Sequence, residues 1–98
     1  MVYEIVWSDV IKRNLRQVLN YLRDNTSEKV AQKYITDLEK RVSVLTTHPE
    51  SGMPSQKIPY VRSLLFRRRY RVFYSIVNNE IHLLALFDTR QDPAKRPY

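Results

Sequence analysis

Residues 64 to 77 read LLFRRRYRVFYSIV, an apolar run interrupted by Arg67, Arg68, Arg69 and Arg71. A guanidinium is costly to bury without a partner, so four of them in one short stretch predict groups that face water, a carboxylate or a phosphate. Other chemistry-bearing residues are few. The absence of cysteine excludes disulfides, thiol nucleophiles and cysteine-ligated zinc, and the two histidines, His48 and His82, are too far apart in sequence to suggest a metal site. Neither a metal nor a cofactor is implied. On the later strands only His82 has an ordinary pKa suited to proton transfer near neutrality.

The formal net charge of +7 is unevenly placed: residues 1–50 hold eight Lys/Arg against seven Asp/Glu, and residues 51–98 hold nine against three. A basic field confined to one half is the footprint of an anionic partner, either nucleic acid or an acidic protein segment. The N-terminus has no basic segment leading into an apolar stretch, and no apolar run approaches the roughly 20 residues needed to span a bilayer. These features predict a soluble, cytoplasmic protein with no membrane association. With 98 residues, 43% hydrophobic content and a single glycine, the chain is expected to form one domain over residues 1–98 with one core.

The elements that must position the arginines follow from periodicity. VYEIVW is β-branched and aromatic and suits a short strand, and Ser8 offers an N-cap. From Asp9, Ile11, Leu15, Val18, Leu19 and Leu22 fall at helical spacing; after a break at Asn25, Thr26 and Ser27, so do Ala31, Ile35, Leu38, Val42 and Leu45, with Tyr34 alongside. The two helices should form an antiparallel hairpin that ends at His48-Pro49. HPESGMPSQKIP reads as the long loop. Val61–Phe66, Tyr70–Val77 and Glu80–Phe87 read as strands, with Asn78-Asn79 as a two-residue hairpin turn. The prediction is an α+β fold of order β-α-α-β-β-β, with the helical hairpin packed on one face of a small, mainly antiparallel sheet.

If Val77 pairs with Glu80, simple alternation puts Tyr70, Val72, Tyr74 and Ile76 on one face with Ile81, Leu83, Ala85 and Phe87. That face should pack on the helices. Arg71, Phe73 and Ser75 would then share the outer face with His82, Leu84 and Leu86, a mixed basic and apolar surface that a partner could cover.

Order of elements, HPESGMP closing the hairpin, VRSLLFRRRYRVFYSIV as a basic strand pair and HLLALFDTRQDP at the close together resemble the RelE/ParE family of bacterial toxins over nearly the whole chain. The resemblance implies the toxic half of a type II toxin–antitoxin, or plasmid stabilisation, system. It also implies a cognate antitoxin, acidic and partly disordered, in a toxin–antitoxin hetero-oligomer, with Phe73, Leu84 and Leu86 as its apolar contacts. The RelE-like branch cleaves messenger RNA on the ribosome, whereas the ParE-like branch poisons DNA gyrase.

Attack of a 2′-hydroxyl needs a base, an acid and cations around phosphorus. The RelE-like resemblance implies Arg71, Arg90 and Tyr98 in that set, with Arg62 near a position where such nucleases place a lysine; His82 joins them only through the ordinary pKa of its imidazole. The sequence departs from that pattern. No lysine lies between Lys57 and Lys95, so the strand pair offers only guanidinium groups, which are poor bases, and Phe87 and Asp88 fill positions that are often polar or basic in nucleases. This favours the ParE-like branch and binding without catalysis, with Arg62, Arg67, Arg68, Arg69, Arg71, Arg90, Lys95 and Arg96 as target-binding residues. The ribosome and messenger RNA are the partners of the alternative.

Overall fold

The computed structural model describes residues 2–98. Strand β1 (Glu4–Trp7) leads into helices α1 (Asp9–Asn25) and α2 (Glu28–Ser43), followed by a 3-10 turn at Val44–Thr46. Strands β2 (Met53–Pro54), β3 (Val61–Phe66), β4 (Tyr70–Val77) and β5 (Glu80–Asp88) complete a five-stranded sheet in the order β1-β5-β4-β3-β2. β1 runs parallel to β5, and the remaining pairs are antiparallel. No helix among the described residues is long and apolar enough to cross a membrane.

Both helices start where the sequence offers a hydroxyl. Ser8 Oγ accepts the amide of Ile11, and Ser27 Oγ accepts that of Val30, each satisfying an N–H that has no partner within its helix. Ser8 also ties helix to sheet, because its hydroxyl donates to the Leu84 carbonyl at 3.2 Å. The stripes on the two helices bury Ile11, Leu19, Ala31, Leu38 and Val42 against Leu64, Val72, Ile81 and Leu83. Each of these leucine, isoleucine and valine side chains contributes about 1.5–3 kcal/mol on leaving water. α2 tightens into its 3-10 turn before His48-Pro49, so the regular helix ends earlier than the proline predicts, while Leu45 still reaches the core.

The loop after α2 contains β2, which the sequence pattern does not reveal: Met53 pairs with Ser63 and Pro54 with Arg62. Tyr74 fixes this loop from below, donating to the Pro49 carbonyl at 2.8 Å and accepting from Gly52 N at 2.9 Å. A Cβ at position 52 would lie 2.5 Å from Tyr74 Oη and 2.9 Å from the Ser63 carbonyl, so the chain's one glycine is required by close approach.

The predicted register holds at the turn, where Val77 pairs with Glu80 and Asn78 takes φ 55°. It then breaks. Tyr74 pairs with Leu83 but Phe73 pairs with Ala85, which leaves Leu84 unpaired as a β-bulge. One extra residue exchanges the faces of everything beyond it. Leu86 joins Val72 in the helix-side core, and Ala85 and Phe87 join Phe73 and Arg71 on the outer face, the reverse of simple alternation.

Candidate functional site

The hairpin tip between β3 and β4 is the most basic point of the sheet, and its three arginines have different surroundings. Arg67 Nη2 lies 2.6 Å from Asp37 Oδ2 on α2, and its guanidinium stacks 5.0 Å from the Tyr34 ring centroid and 5.6 Å from that of Phe66. Hydrogen bonding from Arg67, helped by Lys33, holds the Asp37 carboxyl below the usual carboxylate range. Arg69 Nε lies 3.2 Å from Asp88 and its guanidinium 5.4 Å from the Tyr70 ring. Arg68 is exposed and, among the described residues, has no ion pair, hydrogen bond or stacking contact.

Beneath the paired arginines lies an aromatic cluster. Tyr34 meets Phe66 at 5.2 Å and Tyr70 at 5.5 Å, both edge to face. Its hydroxyl is buried without a hydrogen-bond partner, and burial pushes its pKa far above the ordinary tyrosine value. These two tyrosines, like Tyr74, are packing residues.

On the outer face Arg71 donates through Nη1 to Ser63 Oγ at 3.1 Å and has no carboxylate partner among the described residues. Phe73 is fully buried, because the C-terminal segment crosses the sheet: the Tyr98 ring lies 5.4 Å from that of Phe73, and the Arg96 guanidinium lies 5.2 Å from it. Ile58 and Leu84 pack at the margins of the same cluster, and Ser55 Oγ donates to the Tyr98 carbonyl at 3.3 Å. Arg96 Nε is buried there without a hydrogen-bond partner.

The eight basic residues singled out from the sequence therefore form no single surface. Arg62 points to the helix side, paired across from Tyr74, and donates to the carbonyls of Gly52 and Glu50 at 2.9 and 3.1 Å. It holds the loop and is separated from Arg71 by the sheet. Arg90 stands 3.6 Å from Asp88, a carboxylate it shares with Arg69, and Lys95 is exposed on the C-terminal segment. The apolar set is corrected as well. Leu86 belongs to the helix-side core, Phe73 lies under the chain's own tail, and Leu84 is half-buried at the bulge.

Of the alternative, catalytic set, Arg71 and Tyr98 share the outer face beside Phe73, whereas His82 and Arg90 lie toward its opposite ends. His82 pairs across the strands with Ser75, and its Nε2 lies 3.0 Å from Glu80 Oε1. Ser75 is four residues from Arg71 along β4, about 13 Å of extended chain, and Phe73 with Tyr98 upon it lies between. Arg90 belongs to the Asp88 cluster at the end of β5. Among the described residues no group of three or more His, Asp or Glu side chains is arranged to hold a metal ion.

A second concavity escaped the sequence reading. β1 pairs with β5 only from Glu80 to Leu83, so the rest of that edge has no neighbouring strand. Asn14 Oδ1 accepts the Leu86 amide there at 3.0 Å. Beside it a cleft of about 450 Å³ is lined by Val10, Asn14, Tyr21, Leu86, Asp88 and Lys95. Val10 and Tyr21 stay 43% and 59% exposed, apolar residues that the described residues cover only in part. The signal available was Tyr21, an aromatic on α1 outside the apolar stripe.

A helical hairpin on one face of a five-stranded mixed sheet, with a basic strand pair, defines the RelE/ParE-like α+β class. The model of the ParE toxin family of the parDE type II toxin–antitoxin system matches residues 5–93, and the chain belongs to that family. It is similar in structure to a chain of the chromosomal ParDE system of P. aeruginosa, with 20% identity, a TM-score of 0.78 and coverage of 89% of this chain and 96% of that one. It is also similar to a chain of the RelBE2 toxin–antitoxin complex of Mycobacterium tuberculosis, with 15% identity, a TM-score of 0.59 and coverage of 90% and 99%. No curated protein matches the sequence.

Proposed function

We propose that this chain is the toxin of a ParDE-type pair, that it arrests bacterial growth in the cytoplasm by binding DNA gyrase, and that a cognate antitoxin neutralises it. Family membership supplies the class. The observation that favours binding over catalysis is the dispersal of the cationic groups: Arg62 lies on the helix side, Arg71 on the outer face and Arg90 beside Asp88, whereas cleavage needs a base, an acid and cations within reach of one phosphate. The antitoxin docks in the cleft between α1 and the open half of β5, where Val10 and Tyr21 provide apolar contacts. Phe73, already buried under the tail, is replaced as a contact, and Leu86 contributes only to the floor of the cleft.

Induction of the chain in a bacterial host, with plasmid supercoiling and messenger-RNA integrity measured in one culture, tests the target. Relaxed or broken DNA with intact message is the expected result. Ribosome-dependent message cleavage with normal supercoiling would overturn it and transfer interest to Arg71, Ser63 and Tyr98, which share the outer face.

A further inference from the structure

We infer that Arg68 is a contact residue for a backbone phosphate of nucleic acid, placed at a hairpin-turn position whose backbone conformation disfavours arginine. Arg67 and Arg68 both adopt left-handed backbone, with φ of 53° and 60°. Side chains other than asparagine or glycine are disfavoured there, and a tight hairpin of this hand ordinarily takes a pair such as Asn-Gly. The next hairpin in the same sheet follows that preference, with Asn78 at φ 55°.

For Arg67 the strain has an internal counterpart in the Asp37 ion pair and the stack on Tyr34 and Phe66. Arg69 is engaged by Asp88 and Tyr70. Arg68 adopts the same disfavoured backbone and makes no ion pair, side-chain hydrogen bond or stacking contact among the described residues. The Arg69 amide bonds the Phe66 carbonyl at 3.3 Å and closes the turn, so the hairpin sustains the left-handed backbone, whereas no ion pair, hydrogen bond or stacking contact among the described residues accounts for arginine at position 68.

The surroundings favour phosphate as the ligand. Asp37 and Asp88, the carboxylates beside the tip, already face Lys33, Arg67, Arg69 and Arg90, so the field around Arg68 is positive. A guanidinium fork engages a phosphate through two parallel N–H···O bonds. An acidic protein segment would need apolar surface beside the charge, and there Phe66 and Tyr70 are buried beneath Arg67 and Arg69, which leaves the 43% exposed side chain of Leu65 as the open apolar surface at that end of the hairpin. The inference extends the proposed toxin function, whose target handles DNA, to one ligand class.

The test is binding of the wild type, Arg68→Asn and Arg68→Lys to a short fluorescein-labelled DNA duplex across a salt series, with thermal melting of each protein. Asparagine tolerates the left-handed region, so Arg68→Asn should melt at or above the wild-type temperature. It should also bind the duplex several-fold more weakly at low salt, with the slope of log K against log salt smaller in magnitude by about 1. Arg68→Lys should fall between the two. Unchanged affinity and slope in Arg68→Asn would overturn the inference, as would a lower melting temperature, which would show that the fold holds Arg68 in place. Binding to polyglutamate that is tighter than to DNA and depends on Arg68 would overturn the choice of phosphate. Plasmid supercoiling under wild-type toxin is scored separately, so failure of the gyrase reading is distinguishable from failure at Arg68.

Discussion

On the helix side of the sheet, Tyr34, Phe66 and Tyr70 interlock edge to face above an aliphatic layer supplied by two long helices. On the other side Phe73 reaches the same complete burial under one ring, one guanidinium and the margins of a loop. Equal burial thus has unequal support. Removing the helix-side cover requires unfolding the hairpin, whereas the outer cover can leave with a short terminal segment anchored by the Ser55 hydroxyl and the contacts of Tyr98 and Arg96. Stability should therefore be concentrated on one face, leaving the other open to rearrangement on the timescale of local opening.

Chemical denaturation of Leu38→Ala and Tyr98→Ala tests that contrast most directly. Leu38 is fully buried between helix and sheet, and its truncation should cost about 2–5 kcal/mol. Tyr98→Ala, which removes a partly exposed ring from Phe73, should cost only about 0.5–1.5 kcal/mol. Comparable losses would mean that the tail is as integral as the helices. Gly52→Ala ranks next, at about 1–3 kcal/mol, since the new methyl would press on Tyr74 and on the Ser63 backbone. Melting measurements that show no loss would mean that the loop moves freely above Tyr74.

The helix-side face was legible because its signals are local. Ser8 and Ser27 precede clean apolar stripes, Asn78 marks a turn, and Tyr70 and Tyr74 alternate inward as expected. The outer face was less legible because HLLALF contains five consecutive apolar residues, so polarity cannot report which of them face the helices. The bulge at Leu84 depends on partners far away in sequence: Ser8 binds the Leu84 carbonyl and Asn14 the Leu86 amide. Arg67 meets Asp37 across thirty residues, and Arg62 meets the loop carbonyls, so a row of like residues in the sequence divides into different roles in space. The tail on Phe73 had no local signal beyond the aromatic residue at position 98.

Removal of a single hydroxyl separates the two best-buried tyrosines of the helix side. Tyr74 has partners for its hydroxyl in Gly52 and Pro49, so Tyr74→Phe should cost about 1–3 kcal/mol. The Tyr34 hydroxyl has none, so Tyr34→Phe should leave stability at pH 7 unchanged or raise it by up to about 1 kcal/mol while the Arg67 stack remains. Alkaline titration sharpens the distinction. Burial raises the pKa of Tyr34, Tyr70 and Tyr74 above the ordinary value of 10.0, so the folded chain keeps protons that the unfolded chain releases. Their contribution is fully present below that ordinary pKa and is lost as pH rises toward the folded values, because there the native state binds more protons than the unfolded state. Tyr34→Phe removes the most strongly shifted of these groups, so its melting temperature should fall less steeply above pH 10 than that of the wild type. A parallel fall in the two proteins would mean that the Tyr34 hydroxyl reaches water in the folded state, and that the aromatic cluster under Arg67 is not closed.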